Sequence, residues 1–444
     1  MKCFITSCLL TAVAFWTAGA PAGENWPQWR GPTLNGACDA KGLPETWSET
    51  ENVVWKAPLP AWAGSSPVIW GDRIFLMSPS KRVSEPTDED VGRQFPPRFR
   101  SVDDSGGRDI LLICFDKRDG RRLWKKTVSG GNKLFGKHNM ASPSPVTDGT
   151  HVWVLTGTGR LAAYDMDGTR AWKHDLQEEY GEFGLGWGYA SSPLLYRDKV
   201  IVQVVHGSTN HNPSYLVAFY KDTGRVAWKV DRLTDAVAEC PDAYSTPTLL
   251  RLDDRDRLIV SGADHVTAHD PATGKEVWRV GGLNPDKRRN YRICGSPVAV
   301  DGTVYATSRR RPILAIRADG DRGRVVWTFT GKKAPDVPSA ACDGKRLYLL
   351  HDQGFVTCLD AATGKPVWGP KRITGGPYSA SPLLADGKLY VTNEYAVTTV
   401  LAAGPEFKQL HKNTLDGGYT LSSFAVSGRR LYLRTGKFLY CIGR

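Results

Sequence analysis

The stretch DPATGKEVW at residues 270–278 recurs as DAATGKPVW at 360–368 and, with looser similarity, as DKRDGRRLW at 116–124. In each copy a Gly permits the positive φ of a tight turn, and a Trp ends the strand that follows. The surrounding units begin with Ser/Thr-Pro and often continue through an Asp-Gly hairpin, as in SPVAVDGTVYATS at 296–308. A repeated unit of four short strands joined by hairpins predicts one blade of a β-propeller.

The number of units predicts eight blades. Pro is tolerated at the first residue of a strand, and such anchors fall at Pro67, Pro145, Pro193, Pro247, Pro297 and Pro382, with two degenerate anchors at Ser339 and Ser423. Six units end in a Trp, namely Trp124, Trp172, Trp228, Trp278, Trp327 and Trp368. Seven blades remain the alternative if one degenerate unit does not form a blade.

The eighth unit contains only three strands before the chain ends. The missing fourth strand is found in NVVWKAPL, around Trp55, near the other end of the sequence. An N-terminal strand that completes the last blade would close the ring and remove its free edges. We therefore expect an all-β fold, an eight-bladed propeller of four-stranded antiparallel blades closed by the N-terminal strand.

Turn chemistry assigns the loops to two faces. Asp301-Gly302, Asp343-Gly344 and Asp386-Gly387 predict two-residue hairpins, whose favoured turn needs positive φ. In a meander these hairpins and the Thr-Gly turns share one face, and the longer irregular connections lie on the other. Long irregular loops on a rigid scaffold usually carry function, so we expect any binding site on the irregular face, near the central channel.

The N-terminus predicts an exported protein. Lys2 precedes an apolar run, CFITSCLLTAVAFW, and small residues follow, which indicates a signal peptide over 1–22; a retained membrane anchor is the alternative. We expect an N-terminal extension over 23–50 and the propeller over 51–444, with a loop insertion at 79–108. The mature chain would then reside in the periplasm or outside the cell, as a monomer without a transmembrane segment.

The sequence predicts that most of the cysteines are packing residues. Cys114, Cys358 and Cys441 occupy one position of the repeat, where other units have Ala163, Ala218, Ala268 and Ala315. A disulfide between Cys240 and Cys294 is left open. The formal net charge of +12 favours an anionic polymer or a protein as partner, and no nucleic-acid motif accompanies it.

The irregular loops supply the candidate ligand-binding residues, chosen as polar, basic or aromatic side chains near the expected channel mouth. They are Lys137, His138, Asn139, Trp187, His206, His211, Arg232, Tyr244, Arg292 and Arg309. His138, His206 and His211 show no metal-ligand spacing, so we expect no metal site there. No motif identifies a catalytic residue.

The turn motif, which stands here as AHDPATGKEVW and CLDAATGKPVW, resembles that of the quinoprotein-type (PQQ-like) β-propeller repeat family. NWPQWRGP (25–32), KHNMASPSPVTDG (137–149) and LYCIGR (439–444) are similar to secreted, planctomycete-type members. The family includes the scaffold BamB and PQQ-dependent alcohol dehydrogenases. The resemblance implies the propeller fold, whereas the sequence lacks the adjacent Cys–Cys pair of those dehydrogenases and any matching calcium ligand set.

Three functions follow from these observations. The first is an exported binding or scaffold protein that acts through the irregular face, in envelope protein assembly or in recognition of an extracellular ligand. The second is a PQQ- and metal-dependent oxidoreductase, with PQQ and calcium as cofactors. The third is binding of an acidic polysaccharide, for which the arginine-rich loops are the motivation.

Overall fold

The computed structural model describes residues 24–81, 106–135, 137–252 and 255–444. The signal peptide predicted over 1–22 and most of the insertion predicted over 79–108 lie outside the described residues. The described residues form eight sheets of four or five strands and one two-stranded ribbon. Within each sheet consecutive strands of the chain pair antiparallel, which confirms the all-β, eight-bladed propeller and excludes seven blades.

The strands follow the repeats along the chain. The N-terminal region contains β1 (Ala37–Cys38) and β2 (Val53–Pro58). Blade 1 contains β3 (Val68–Trp70), β4 (Arg73–Pro79), β5 (Ile110–Asp116) and β6 (Arg122–Ser129). The ribbon of β7 (Leu134–Phe135) and β8 (His138–Asn139) leads to blade 2, with β9 (Val146–Thr147), β10 (His151–Leu155), β11 (Arg160–Asp165) and β12 (Arg170–Asp175).

A short helix, α1 (Leu176–Tyr180), connects blades 2 and 3. Blade 3 contains β13 (Leu194–Tyr196), β14 (Lys199–Val204), β15 (Tyr215–Tyr220) and β16 (Val226–Asp231). Blade 4 contains β17 (Thr248–Arg251), β18 (Asp256–Gly262), β19 (His265–His269) and β20 (Glu276–Val280). Blade 5 contains β21 (Val298–Val300), β22 (Thr303–Thr307), β23 (Ile313–Asp319) and β24 (Arg322–Phe329).

The last three blades complete the ring. Blade 6 contains β25 (Ala341–Cys342), β26 (Arg346–His351), β27 (Phe355–Asp360) and β28 (Pro366–Arg372). Blade 7 contains β29 (Leu383–Ala385), β30 (Lys388–Thr392), β31 (Val397–Ala402) and β32 (Gln409–Thr414). Blade 8 contains β33 (Ala425–Ser427), β34 (Arg430–Arg434), β35 (Phe438–Ile442) and, as its outer strand, β2.

The N-terminal strand closes the ring as expected. β2 pairs antiparallel with β35, and Trp55 lies opposite Cys441 in that register. A Trp therefore occupies the same place in blade 8 as in the other Trp-bearing blades. The two ends of the chain are joined by a ladder of backbone hydrogen bonds, which removes the edge that an open blade would expose.

Each Trp of the repeat docks on the turn of the next blade. The indole Nε1 of Trp228 donates to the Pro271 carbonyl at 3.2 Å, and Trp172 donates to Lys221 at 2.8 Å. The turn Gly lies against the indole face, and an added Cβ at Gly274 would overlap Trp228. The turn of DPATGKEVW thus packs against Trp228 of the preceding blade. Trp278, which ends the same stretch, packs against the turn of the following blade.

A small residue lies opposite each of these Trp side chains within its own blade. Ala218 pairs with Trp228 and Cys358 with Trp368, and the other cysteines of this position, Cys114 and Cys441, follow the same rule. The three cysteines of this position are buried free thiols, which confirms the prediction that they are packing residues. Cys240 and Cys294 are also free thiols in this structure.

Two of the three predicted Asp-Gly hairpins have the expected geometry. Asp301 and Gly302 have φ of 47° and 74°, and Asp386 and Gly387 have φ of 53° and 68°. The prediction for Asp343-Gly344 was wrong, because Cys342 pairs with Leu347 and a four-residue loop separates them. The Asp343 carboxylate accepts the backbone N–H groups of Lys345 and Arg346, which stabilises the wider turn.

Residues 26–36, here named the crossing segment, traverse the propeller axis. Trp26 bridges to Ile69 of blade 1, and the Gly36 carbonyl accepts the N–H of Leu384 in blade 7. Between them, the buried guanidinium of Arg30 donates to the carbonyls of Ala340 and Pro382. The Pro27 carbonyl also accepts the N–H of Thr147 in blade 2. The segment therefore contacts blades 2 and 6, which face each other across the ring, and Trp29 closes the channel from one side.

Candidate functional site

The Ser or Thr that starts each blade belongs to a closed ring of hydrogen bonds around the channel. The N–H of Ser66 donates to Ser144 Oγ at 2.9 Å, the N–H of Ser144 donates to Ser192 Oγ at 2.9 Å, and the last step returns from Ser423 N–H to Ser66 Oγ at 2.9 Å. The members of this anchor ring are Ser66, Ser144, Ser192, Thr246, Ser296, Ser339, Ser381 and Ser423.

The anchor ring surrounds the base of a funnel of about 700 Å³. Its walls come from the connections between blades and between the second and third strands, which are the irregular loops of the sequence. Trp29 of the crossing segment lines the funnel from below, and the Arg30 guanidinium lies 5.4 Å from the Trp29 ring centre. The funnel lies on the face predicted to carry a site, and a volume of this size suits a small-molecule ligand.

Five of the ten predicted residues line this funnel. They are Lys137, His138, Trp187, Tyr244 and Arg292. Lys137 Nζ lies 2.8 Å from Oε1 of the buried Glu394, and Ser379 Oγ donates to the same oxygen. Burial lowers the pKa of His138, one of whose ring nitrogens contacts the Trp187 carbonyl. These two side chains are therefore fixed by protein partners at the rim.

Trp187 and Arg292 belong to a connected polar network. Trp187 Nε1 donates to Glu239 Oε1 at 2.8 Å, and Arg292 Nη1 lies 3.5 Å from the same oxygen. The Arg292 guanidinium lies 5.9 Å from the Trp187 ring centre. Asp336, which is 1% exposed, links Arg292 to Arg309 at 3.8 and 3.5 Å. The network holds the Trp187 ring in one orientation at the funnel wall.

Four predicted residues lie in other environments. Asn139 donates from Nδ2 to the Trp62 carbonyl at 2.8 Å, and His206 Nδ1 accepts the N–H of Gly184 at 2.7 Å. Arg232 is fully buried and donates to Thr267 Oγ1 and to the carbonyls of Gly262 and His265. His211 is exposed and does not line the funnel. The first three hold loops and blade edges together through these hydrogen bonds.

The structure adds funnel residues that the sequence interpretation did not select. Arg310, Lys333 and Arg372 line the wall formed by blades 5 and 6, beside His351 and Asp352. Burial and the nearby Asp336 carboxylate raise the pKa of Asp352 to about 6. Burial, assisted by Lys333 and Arg310, lowers the pKa of His351 to about 4. The basic runs at 309–311 and 332–333 were the available signal, but a loop sequence does not indicate which side chain faces inward.

The charge of the lining is strongly asymmetric. Lys137, Arg292, Arg310, Lys333 and Arg372 contribute five cations, and Asp352 contributes the one carboxylate among the lining residues. Each anchor-ring hydroxyl accepts a backbone N–H, so its own O–H remains to donate into the funnel. Lys137 and Arg292 are already paired with carboxylates behind the wall, so among the described residues Arg310, Lys333 and Arg372 are the lining cations without such partners. Together with the hydroxyl donors they suit an acceptor-rich anionic ligand.

The cofactor pair implied by the family resemblance fits this lining only in part. A quinone that carries carboxylates would match the cations, but calcium requires six to eight oxygen ligands, usually with several carboxylates. Among the described residues no group of three His, Cys, Asp or Glu side chains could hold a metal ion. The lining residues thus do not fit a calcium–quinone site.

The fold and the funnel define a class of protein: a closed eight-bladed propeller with a one-sided funnel along its channel. Residues 108–328 and 315–404 match the family described as outer membrane protein assembly factor BamB. The chain belongs to this family.

Relatives and neighbours are of two kinds. The outer membrane protein assembly factor BamB of Yersinia pestis is 23% identical over 78% of this chain and 81% of its own length. BamB from Moraxella catarrhalis has a TM-score of 0.57 at 17% identity, covering 87% of this chain and 96% of its own. A europium-containing methanol dehydrogenase has a TM-score of 0.66 at 12% identity, covering 93% and 90%. These structural likenesses are evidence of the propeller fold.

Among the residues that the structure describes, no helix combines the length and the apolar character needed to cross a membrane.

Proposed function

We propose that this protein is an exported binding protein of the cell envelope that acts through the irregular face of its propeller. Membership of the BamB family supports a role in envelope protein assembly, and the funnel supports recognition of a ligand or of an anionic segment of a partner. In both cases the propeller is a rigid scaffold, and the loops around the anchor ring make the contacts.

The observation that carries the proposal is the donor-rich lining of the funnel. Three cations without carboxylate partners in the described part of the chain, Arg310, Lys333 and Arg372, and a ring of hydroxyl groups converge on one cavity, whereas the opposite face carries compact hairpins and Trp-docking turns. Packing explains the hairpins and turns, because each turn receives a Trp. It does not explain a 700 Å³ funnel lined by cations.

Site-specific photo-cross-linking tests the proposal on the full chain. A photoreactive residue would replace Gln353 at the funnel wall, and in a separate variant it would replace Lys365 in a Trp-docking turn. We expect specific adducts with envelope material from position 353 and none from position 365. Equal adduct patterns at both positions, or none at either, would overturn the assignment of function to the irregular face.

A PQQ- and metal-dependent oxidoreductase is the second candidate, favoured by the cationic lining and by likeness to dehydrogenases. An absorbance titration of the purified protein with PQQ, with and without calcium, distinguishes the two functions. Because the lining residues do not form a calcium ligand set, we expect no calcium-dependent spectral change. A saturable, calcium-dependent change would favour the oxidoreductase.

A further inference from the structure

Three cations on one wall of the funnel are oriented toward its interior without carboxylate partners. Arg310, Lys333 and Arg372 form no ion pair with the described residues, in contrast to the neighbouring Arg309, which lies 3.5 Å from Asp336. Lys333 and Arg372 lie on the Phe355 ring, 4.6 and 4.9 Å from its centre. This group of three is named the cationic wall. Phe355 positions two of its members while their charges stay available to a ligand.

Aromatic surfaces complement the cationic wall. Trp29 forms the floor, and Tyr395 and Trp187 lie on the sides. Trp187 is held by Glu239, and Trp29 is carried by the crossing segment, whose Arg30 is anchored on carbonyls of blades 6 and 7. Rigid rings of this kind bind flat apolar faces at low entropic cost. Donor hydroxyls of the anchor ring surround the floor.

We propose that the funnel binds the end of a carboxylated sugar chain, such as an oligouronate. Sugar rings present C–H faces that pack on Trp29, Tyr395 and Trp187, while their carboxylates pair with the cationic wall and their oxygens accept from the anchor ring. Arg fits a carboxylate through two parallel hydrogen bonds, which makes Arg310 and Arg372 the main contributors. This inference rests on the proposed function and names the ligand class of its site.

The shape of the site selects a chain end. The crossing segment closes the channel at Trp29, so a polymer cannot pass through the propeller. The open side of the funnel accepts a short oligomer or a terminus, while the remaining chain extends over the irregular face. A sugar chain also matches the hydroxyl-rich base better than an apolar ligand, which would leave the anchor-ring donors unpaired.

Calorimetric titration of the purified full chain tests the proposal. The probes are a trimer of galacturonic acid and a neutral trimer of galactose, at low and at high salt. We expect the acidic trimer to bind at least tenfold more tightly, with affinity that falls as salt rises, because charge-assisted contacts supply the difference. Equal affinity for the two trimers, or no binding of the acidic trimer, would overturn the proposal.

Matched variants locate the binding site. Arg310→Gln, Lys333→Gln and Arg372→Gln together remove the cationic wall, and Arg322→Gln, Arg324→Gln and Lys365→Gln remove the same charge from exposed positions outside the funnel. We expect the wall variant to lose roughly tenfold or more in affinity for the acidic trimer and the control variant to retain it. Circular dichroism establishes that both variants are folded. Equal losses would mean a bulk charge effect and would overturn the site.

The floor supplies a second readout, independent of charge. Trp29→Ala should weaken binding of the acidic trimer while leaving its salt dependence unchanged, and an unchanged affinity would contradict the aromatic floor.

Absence of sugar binding is distinguishable from failure of the proposed binding function. If cross-linking from position 353 captures another molecule while the acidic trimer does not bind, the sugar assignment is overturned and the binding function stands.

Discussion

Gly274, in the turn of the opening motif, shows how one residue specifies contact between blades. Its φ is +77°, and an added Cβ would overlap the Trp228 ring. Gly274→Ala combines left-handed strain with overpacking, so we expect the free energy of unfolding to fall by roughly 2–4 kcal/mol. Urea unfolding followed by circular dichroism measures this change.

Gly387 is the matched control for that substitution. Its φ is +68°, and an added Cβ would meet nothing within 4 Å. Gly387→Ala therefore tests backbone strain alone, and we expect a loss of about 1–2 kcal/mol. If both substitutions cost the same, the Trp contact does not require Gly at position 274.

Asp352 predicts a pH dependence of stability. Burial and Asp336 raise its pKa from the ordinary 3.8 to about 6, so the folded state binds a proton more tightly than the unfolded state does. The contribution of protonated Asp352 to the free energy of unfolding is complete below pH 4 and is lost as the pH rises through 6. Relative to Asp352→Asn, which cannot ionise, the wild type should lose up to about 3 kcal/mol between pH 4 and pH 7.

Chemical denaturation at a series of pH values measures the difference between wild type and Asp352→Asn. The exposed Asp319→Asn on β23 serves as control for removal of one negative charge. A difference between wild type and Asp352→Asn that stays constant from pH 4 to pH 7 would contradict the raised pKa of Asp352.

At the residue scale, the sequence predicted features whose causes are local. Positive φ at Asp301-Gly302 follows from the turn itself, and the small residue opposite each Trp follows from strand pairing. The turn at Asp343 was mispredicted because side-chain hydrogen bonds to Lys345 and Arg346 favour a wider loop. In the same way, a loop without periodicity did not indicate that Arg310 would line the funnel while Arg309 faced Asp336.

At the scale of elements, β2 is the strand on which closure of the ring depends. Trp55 Nε1 donates to the Lys117 carbonyl at 3.1 Å, so β2 joins blade 8 to blade 1. Trp55→Ala should lower the free energy of unfolding by about 3 kcal/mol and speed hydrogen exchange in β2 and β35. Exchange measured by mass spectrometry reports both strands.

Trp172→Ala is the matched control for closure, because Trp172 makes the same contact with Lys221 from blade 2, whose four strands are consecutive in the chain, whereas blade 8 is assembled from two distant segments. We expect a similar loss of overall stability without faster exchange in β2 or β35. Equally fast exchange of β2 in both variants would mean that the ring does not open preferentially at the chain ends.

The crossing segment marks the limit of prediction at this scale. Blades were predictable because hairpins and Trp-docking turns recur with the repeat. The segment at 26–36 occurs once, and its partners lie far away in sequence: Arg30 contacts the carbonyls of Ala340 and Pro382. Its composition indicated only an N-terminal extension. That Trp29 would form the floor of a funnel depends on long-range packing that no local pattern encodes.

At the scale of the whole molecule, the anchor ring makes the eight blades interdependent. Each anchor N–H donates to the hydroxyl of the next blade, and the degenerate anchors Ser339 and Ser423 participate like the others. This explains why a hydroxyl-bearing residue stands at all eight positions, whereas Pro stands after six. The hydroxyl is needed for the ring, and Pro only suits the start of the strand.

The ring predicts a pattern of energetic coupling. Ser192→Ala leaves the buried N–H of Ser144 without its acceptor, at a cost of about 1–3 kcal/mol. Adding Ser381→Ala, four blades away, should cost the sum of the two single losses within about 0.5 kcal/mol. Combining Ser192→Ala with Ser144→Ala in the adjacent blade should cost less than the sum of the two single losses. The first substitution already loosens the packing at the neighbouring blade boundary, so the second removes less. Double-mutant cycles by urea unfolding measure both pairs, and additivity for the adjacent pair would show that each boundary holds independently of the ring.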